Sequence, residues 1–107
     1  MNKHDSICQT VKRRCEEKPS LDTYVNREYG ITHSRVTGEV DVGQVYINYG
    51  IYYEVKCRDH YKNEQKALRQ TIRWSKYMKK NYPGRNYYGV YYTPTCVKLL
   101  CKNGEVR

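Results

Sequence analysis

Four charged residues interrupt two otherwise apolar, β-branched stretches: Glu39 and Asp41 in Gly38-Glu39-Val40-Asp41-Val42, and Glu54 and Lys56 in Tyr53-Glu54-Val55-Lys56. Burying an unpaired charge is costly, so charges at these positions need compensation. A divalent cation would provide it. Asp41 and Glu54 offer hard oxygen ligands suited to Mg2+ or Mn2+, and the carbonyl of Val55 can add a third. Side chains alternate along a strand, so Glu54 and Lys56 share one face while Tyr53, Val55 and Cys57 take the other. A cation held there polarises a phosphodiester oxygen and acidifies its water, and Lys56 orients that water or stabilises the phosphorane charge. The chemistry is phosphodiester hydrolysis. Asp41 joins this face only in a hairpin register whose paired residue numbers sum to an odd value, as with Asn48 opposite Ile51 across Tyr49-Gly50, or through a one-residue bulge. A bare Glu-x-Lys in a strand describes an ordinary solvated hairpin. The pairing with Gly-Glu-x-Asp, thirteen residues from Asp41 to Glu54, sets this one apart.

These residues need elements to hold them. The stretches from Glu39 to Ile47 and from Ile51 to Cys57, around Asn48-Tyr49-Gly50, are expected to form a hairpin. From Asp5 to about Lys18, Ile7, Cys8, Val11 and Cys15 recur at helical spacing, with Asp5 or Ser6 as cap and Pro19 beyond the end. Ser20 to Thr37 is polar and irregular and reads as a connecting loop with at most a short strand. A long helix is expected from about Tyr61 to Tyr82, with Ala67, Leu68, Thr71, Ile72, Ser75 and Met78 as its buried stripe and Pro83-Gly84 as its stop. Tyr87 to Thr93 and Thr95 to Leu100 read as strands separated by Pro94, followed by a turn at Asn103-Gly104. The expected order is α-β-β-α-β-β in one domain spanning 1–107, an α/β sandwich with a small mixed sheet.

The segment 38–78 resembles the core motif of PD-(D/E)XK nucleases, in particular archaeal Holliday-junction resolvases and small phage or virus nucleases. The resemblance implies a restriction-endonuclease-like fold, Asp41, Glu54 and Val55 as metal ligands, and Lys56 as the residue that assists water. A glutamine on the following helix often completes such sites, which nominates Gln70 in Lys66-Ala67-Leu68-Arg69-Gln70 ahead of Gln65. Relatives often carry an acidic residue on the first helix, where Glu17 is preferred to Glu16. The implied activity is Mg2+- or Mn2+-dependent cleavage of DNA, on branched or recombination intermediates, by a two-fold homodimer.

Composition agrees with a polyanionic partner, since the net charge is +9 over 107 residues. Lys66, Gln70, Arg73 and Tyr77 share one face of the second helix, and Lys62, Arg69, Lys76, Lys79 and Lys80 widen it. With Arg35, and with His33 and Ser34 beside it, the basic side chains Lys62, Lys66, Arg69 and Arg73 are candidates for phosphate contact. His33 and His60 are weaker candidates for general bases. The alternatives are a solvated basic helix face, a non-catalytic nucleic-acid-binding module of the same fold, and a small protein that blocks a host factor. The third would favour an acidic surface. No apolar run reaches membrane-span length and the N-terminus lacks a signal-peptide core, so a cytoplasmic protein is expected. Five cysteines without a CxxC pair suit reduced thiols, with a zinc site at Cys96, Cys101 and a histidine as the lesser reading. Thirteen tyrosines and no phenylalanine require buried rings to pair their hydroxyls or leave them at an edge.

Overall fold

The computed structural model describes residues 2–107. Its elements are α1 (Lys3–Glu16), β1 (Asp22–Tyr29), β2 (Gly38–Val45), β3 (Tyr49–Val55), α2 (Tyr61–Asn81), β4 (Asn86–Thr93), β5 (Cys96–Lys102) and β6 (Glu105–Val106). The six strands form one sheet in sequential order, antiparallel except for the parallel pair β3–β4, which α2 joins as a crossover. The fold is α/β with a mixed sheet, as expected, but the order is α-β-β-β-α-β-β-β. Two strands were missing from the sequence reading. The segment 20–37 contains β1, an edge strand paired on one side only, so it needs few apolar residues. Beyond the Asn103-Gly104 turn, β6 adds two residues.

One helix covers each face of the sheet. Cys8, Val11 and Cys15 of α1 pack on Val42 and Val55. On the opposite face Trp74 of α2 meets Val40, Tyr52 and Tyr87, with edge-on ring contacts at 5.7 Å to Tyr52 and 5.5 Å to Tyr87. Ala67 packs on Tyr91 and Leu100. The buried stripe of α2 is Ala67, Thr71, Trp74 and Ser75, whereas Leu68, Ile72 and Met78 are half-buried. Trp74, rather than Ile72, is therefore the helix's main core residue. Gly89 lets α2 approach β4 closely, because a Cβ there would lie 2.3 Å from Thr71.

The buried tyrosines follow the pairing rule: Tyr87 donates to the Tyr82 carbonyl at 2.8 Å and Tyr91 to Asp59 Oδ1 at 3.1 Å. All five cysteines are free thiols. Cys96 and Cys101 belong to no cluster with a histidine among the described residues, which removes the zinc reading. No described helix is long and apolar enough to cross a membrane.

Candidate active site

The β2–β3 pairs run from Val42↔Tyr53 to Val45↔Gly50, a register of the odd-sum class that Asp41 requires. The turn itself is Ile47-Asn48, closed by Tyr46 N–H donating to Tyr49 O at 2.7 Å, two residues earlier than Tyr49-Gly50. The local alternation also slips at Asp41. Val42 packs beneath α1 and Val40 packs against Trp74 on the other face, though two residues apart in a regular strand would share a face. Opposite this slip, Asn26 of β1 has φ of 53° and the β1–β2 ladder skips it. Beyond the last β2–β3 pair, Asp41 Oδ2 replaces a backbone acceptor and takes the N–H of Val55 at 2.9 Å. Asp41 is thus held at the point where the two strands part.

Glu54 is buried, with 3% of its surface exposed. Tyr52, on the same face of β3, donates its hydroxyl to Oε1. Lys56 Nζ lies 3.1 Å from Oε2. The Gln70 amide, turned so that its NH2 faces acceptors, donates to Glu54 Oε2 at 2.8 Å and to the Lys66 carbonyl at 3.2 Å. The structure therefore brings Asp41, Glu54, Lys56 and Gln70 together, with the Val55 carbonyl beside them. Burial and the neighbouring Asp41 carboxylate push Glu54 up to about 7, against the opposing pull of Tyr52 and Lys56. Two carboxylates that repel in a poorly solvated site, with a backbone carbonyl at hand, form a hard-oxygen donor set that fits a divalent cation.

Sequence reasoning missed His4. Its Nε2 lies 3.2 Å from Asp41 Oδ2 and 3.0 Å from the Val55 carbonyl. Burial alone would lower the imidazole's pKa, but the charge and hydrogen bond of Asp41, with the Val55 carbonyl, leave it raised. Cys8 packs one turn further along α1, its sulfur 3.9 and 4.0 Å from the two ring nitrogens. Burial, with the acidic groups around it, pushes that thiol up to about 12. A signal for His4 was present, since it extends the stripe Cys8, Val11, Cys15 by one helical step. The expected cap at Asp5 or Ser6 hid it. The helix is capped by Asn2, which accepts from the Asp5 N–H at 2.8 Å and places His4 in the first turn.

Glu17 is a correction. It is the exposed C-cap of α1, thirteen residues from His4, or about 20 Å along the helix. Glu16 pairs with Lys12 at 3.9 Å. Neither acid reaches the site, because it lies at the other end of the helix.

Lys56, Lys66, Arg69, Gln70 and Arg73 line an open recess of about 210 Å3 beside Glu54. Other predicted contacts lie outside it. Lys62 is exposed one turn before Lys66, and Arg35 is exposed in the β1–β2 connection, whose Thr37 carbonyl accepts from Arg73 at 3.3 Å. Tyr77 packs on Tyr29 with ring centroids 5.2 Å apart. Lys76 lies against Gly104, and Lys79 donates to the carbonyls of Pro83 at 3.1 Å and Arg85 at 2.9 Å, so the basic face is narrower than its charge suggests. His60 caps α2 by accepting from the Lys62 N–H at 3.1 Å, and His33 is exposed in the β1–β2 connection. No protein-family model, curated protein or solved structure matches this chain.

Proposed function

We propose that this protein is a divalent-metal-dependent nuclease that hydrolyses phosphodiester bonds in DNA, with branched or recombination intermediates as its substrates and a homodimer as its working form. One observation carries the reading: the buried Glu54, adjoining Asp41, is bonded to Lys56 and Gln70, which in turn line a recess with three further cations. Acidic groups facing a phosphate-binding surface weaken simple binding, so they favour a reading in which a cation sits between them and the phosphate.

Asp41, Glu54 and the Val55 carbonyl would hold Mg2+ or Mn2+. A cation bound there supplies charge neutralisation for the transferring phosphoryl group and a more acidic water. Lys66, Arg69 and Arg73 hold the phosphates on either side of the scissile bond. Lys56, positioned by Glu54, orients the attacking water and stabilises the charge that grows on the phosphoryl oxygens. Gln70 fixes the free orientation of the Glu54 carboxylate, so a second element, α2, sets the geometry of a ligand on β3.

The test is incubation of the purified protein with linear, single-stranded, flapped and four-way-junction DNA, in Mg2+, Mn2+ or EDTA. Metal-dependent cutting, strongest on branched substrates, is expected. Salt-sensitive binding with no cutting in either metal would identify the non-catalytic binding module instead.

A further inference from the structure

His4 belongs to no part of the motif that led to the site, yet its ring nitrogen lies within hydrogen-bond distance of two of the three groups assigned to the cation. Adjacent ligands of an octahedral ion with bonds of about 2.0–2.1 Å lie about 3 Å apart. Nε2 of His4 sits 3.2 Å from Asp41 Oδ2 and 3.0 Å from the Val55 carbonyl, which is that spacing. Three elements, α1, β2 and β3, thus bring a nitrogen and two oxygens to one point. On the metal-free site the Nε2–H stands between the oxygens as a donor. With Nε2 bare, the proton moves to Nδ1, where Asp5 Oδ1 at 3.7 Å is the nearest carboxylate. Cys8 is fully buried against the ring, and its Sγ lies within 4.8 Å of the ligand atoms of His4 and Asp41, but soft sulfur suits neither Mg2+ nor Mn2+, so its part is to pack the imidazole.

We propose that His4 is a ligand, through Nε2, of the same cation that Asp41 and Glu54 hold, and that its nitrogen makes the site prefer Mn2+ to Mg2+. This rests on the metal-dependent reading above. The preference follows from ligand type: Mg2+ favours oxygen donors and keeps its waters, whereas imidazole suits the transition ions. An aspartate–glutamate–carbonyl site alone would favour Mn2+ less, because it lacks the nitrogen donor that Mg2+ accepts poorly.

The experiment combines calorimetric titration of Mn2+ and Mg2+ with pulsed electron spin-echo spectroscopy of bound Mn2+, on wild type, His4→Gln and Cys8→Ser. Wild type should bind Mn2+ about tenfold or more tightly than Mg2+, with a nitrogen modulation that changes when histidine is labelled with 15N. His4→Gln should still bind Mn2+ through the carboxylates but lose the modulation and most of the preference. Cys8→Ser should keep both. Bound Mn2+ with no histidine nitrogen, in a protein that needs Asp41 and Glu54 to bind it, overturns the role of His4 and leaves the site reading standing. No binding of either ion overturns both. Circular dichroism of each variant separates loss of the ligand from loss of the fold.

Discussion

Two concavities flank α2, and they differ in the kind of side chain they offer. The larger, about 400 Å3, runs between β1 and the second half of α2 and is lined by Tyr24, Tyr29, Trp74, Tyr77 and Met78 among others. Two of its charged rim residues pair with each other, Arg27 being bonded to Asp22 at 2.7 Å and lying 4.0 Å over the Tyr24 ring, and Arg85 donates to the Tyr46 carbonyl at 2.9 Å. The smaller, about 210 Å3, is lined by four basic side chains and Gln70, and among the described residues Lys66, Arg69 and Arg73 have no acidic partner. The larger cleft is walled by aromatic rings, with Tyr29 tilted 56° against Tyr77. Charge that the fold leaves unneutralised can bind phosphate, so the proposed function rests on the smaller recess.

The sharpest way to break this comparison is to remove the carboxylates. Asp41→Ala or Glu54→Ala should abolish metal-dependent cleavage while the fold survives. Wild-type rates in both variants would reject the recess as the active site. Truncation in the aromatic cleft should do the opposite: Trp74→Ala should cost about 3–5 kcal/mol of stability, with unchanged DNA affinity in the folded fraction, and half-buried Ile72→Ala should cost only about 1–2 kcal/mol. Denaturant melts beside anisotropy separate the two.

Glu54 supplies a pH test of the same contrast. Its carboxyl titrates near 7 in the folded, cation-free protein, against an ordinary value of 4.5. The folded state therefore binds more protons between those limits. Its contribution is fully present below about pH 4.5 and declines as pH rises through about 7, by up to roughly 3 kcal/mol. Melting in EDTA from pH 4 to 8 should show this decline, and Glu54→Gln should flatten it. Stability that rises across the window would mean that Glu54 is held ionised as a structural ion pair with Lys56.

Lys56→Ala should retain metal binding and lose about 10²–10³-fold in single-turnover rate, since the ammonium acts on charge that develops in the transition state. Reduced metal affinity with normal cutting at saturating metal would reverse that assignment. The smallest effect is on the walls of the recess. Lys66→Ala and Arg73→Ala should each weaken binding similarly across unrelated sequences and lower the slope of log affinity against log salt by roughly one. Unchanged slopes would make this a solvated helix face, no different in function from the rim of the aromatic cleft.

Local pattern was enough to read much of the molecule from its residues. The hairpin, both helices, β4 and β5 all lie where Val, Ile and Tyr runs or helical spacing place them, and Glu54 and Lys56 meet as strand alternation requires, while Gln70, which joins them, was nominated by the family resemblance. What remained depended on neighbours distant in sequence. β1 is a strand because β2 supplies its partner, since its own residues carry little apolar signal. Trp74 is central because the rings of Tyr52 and Tyr87 close around it. Lys76 and Lys79 leave the basic face because the loops after α2 and β5 take them up. His4 reaches Asp41 across thirty-seven residues only when α1 lies on the sheet with its first turn over the point where β2 and β3 part. The sequence by itself determined which residue types could hold a cation and attack a phosphodiester, because strand and helix periods are local. Only the tertiary structure decided which end of α1 faces the carboxylates, because that depends on how a helix lies across strands and no local period records it.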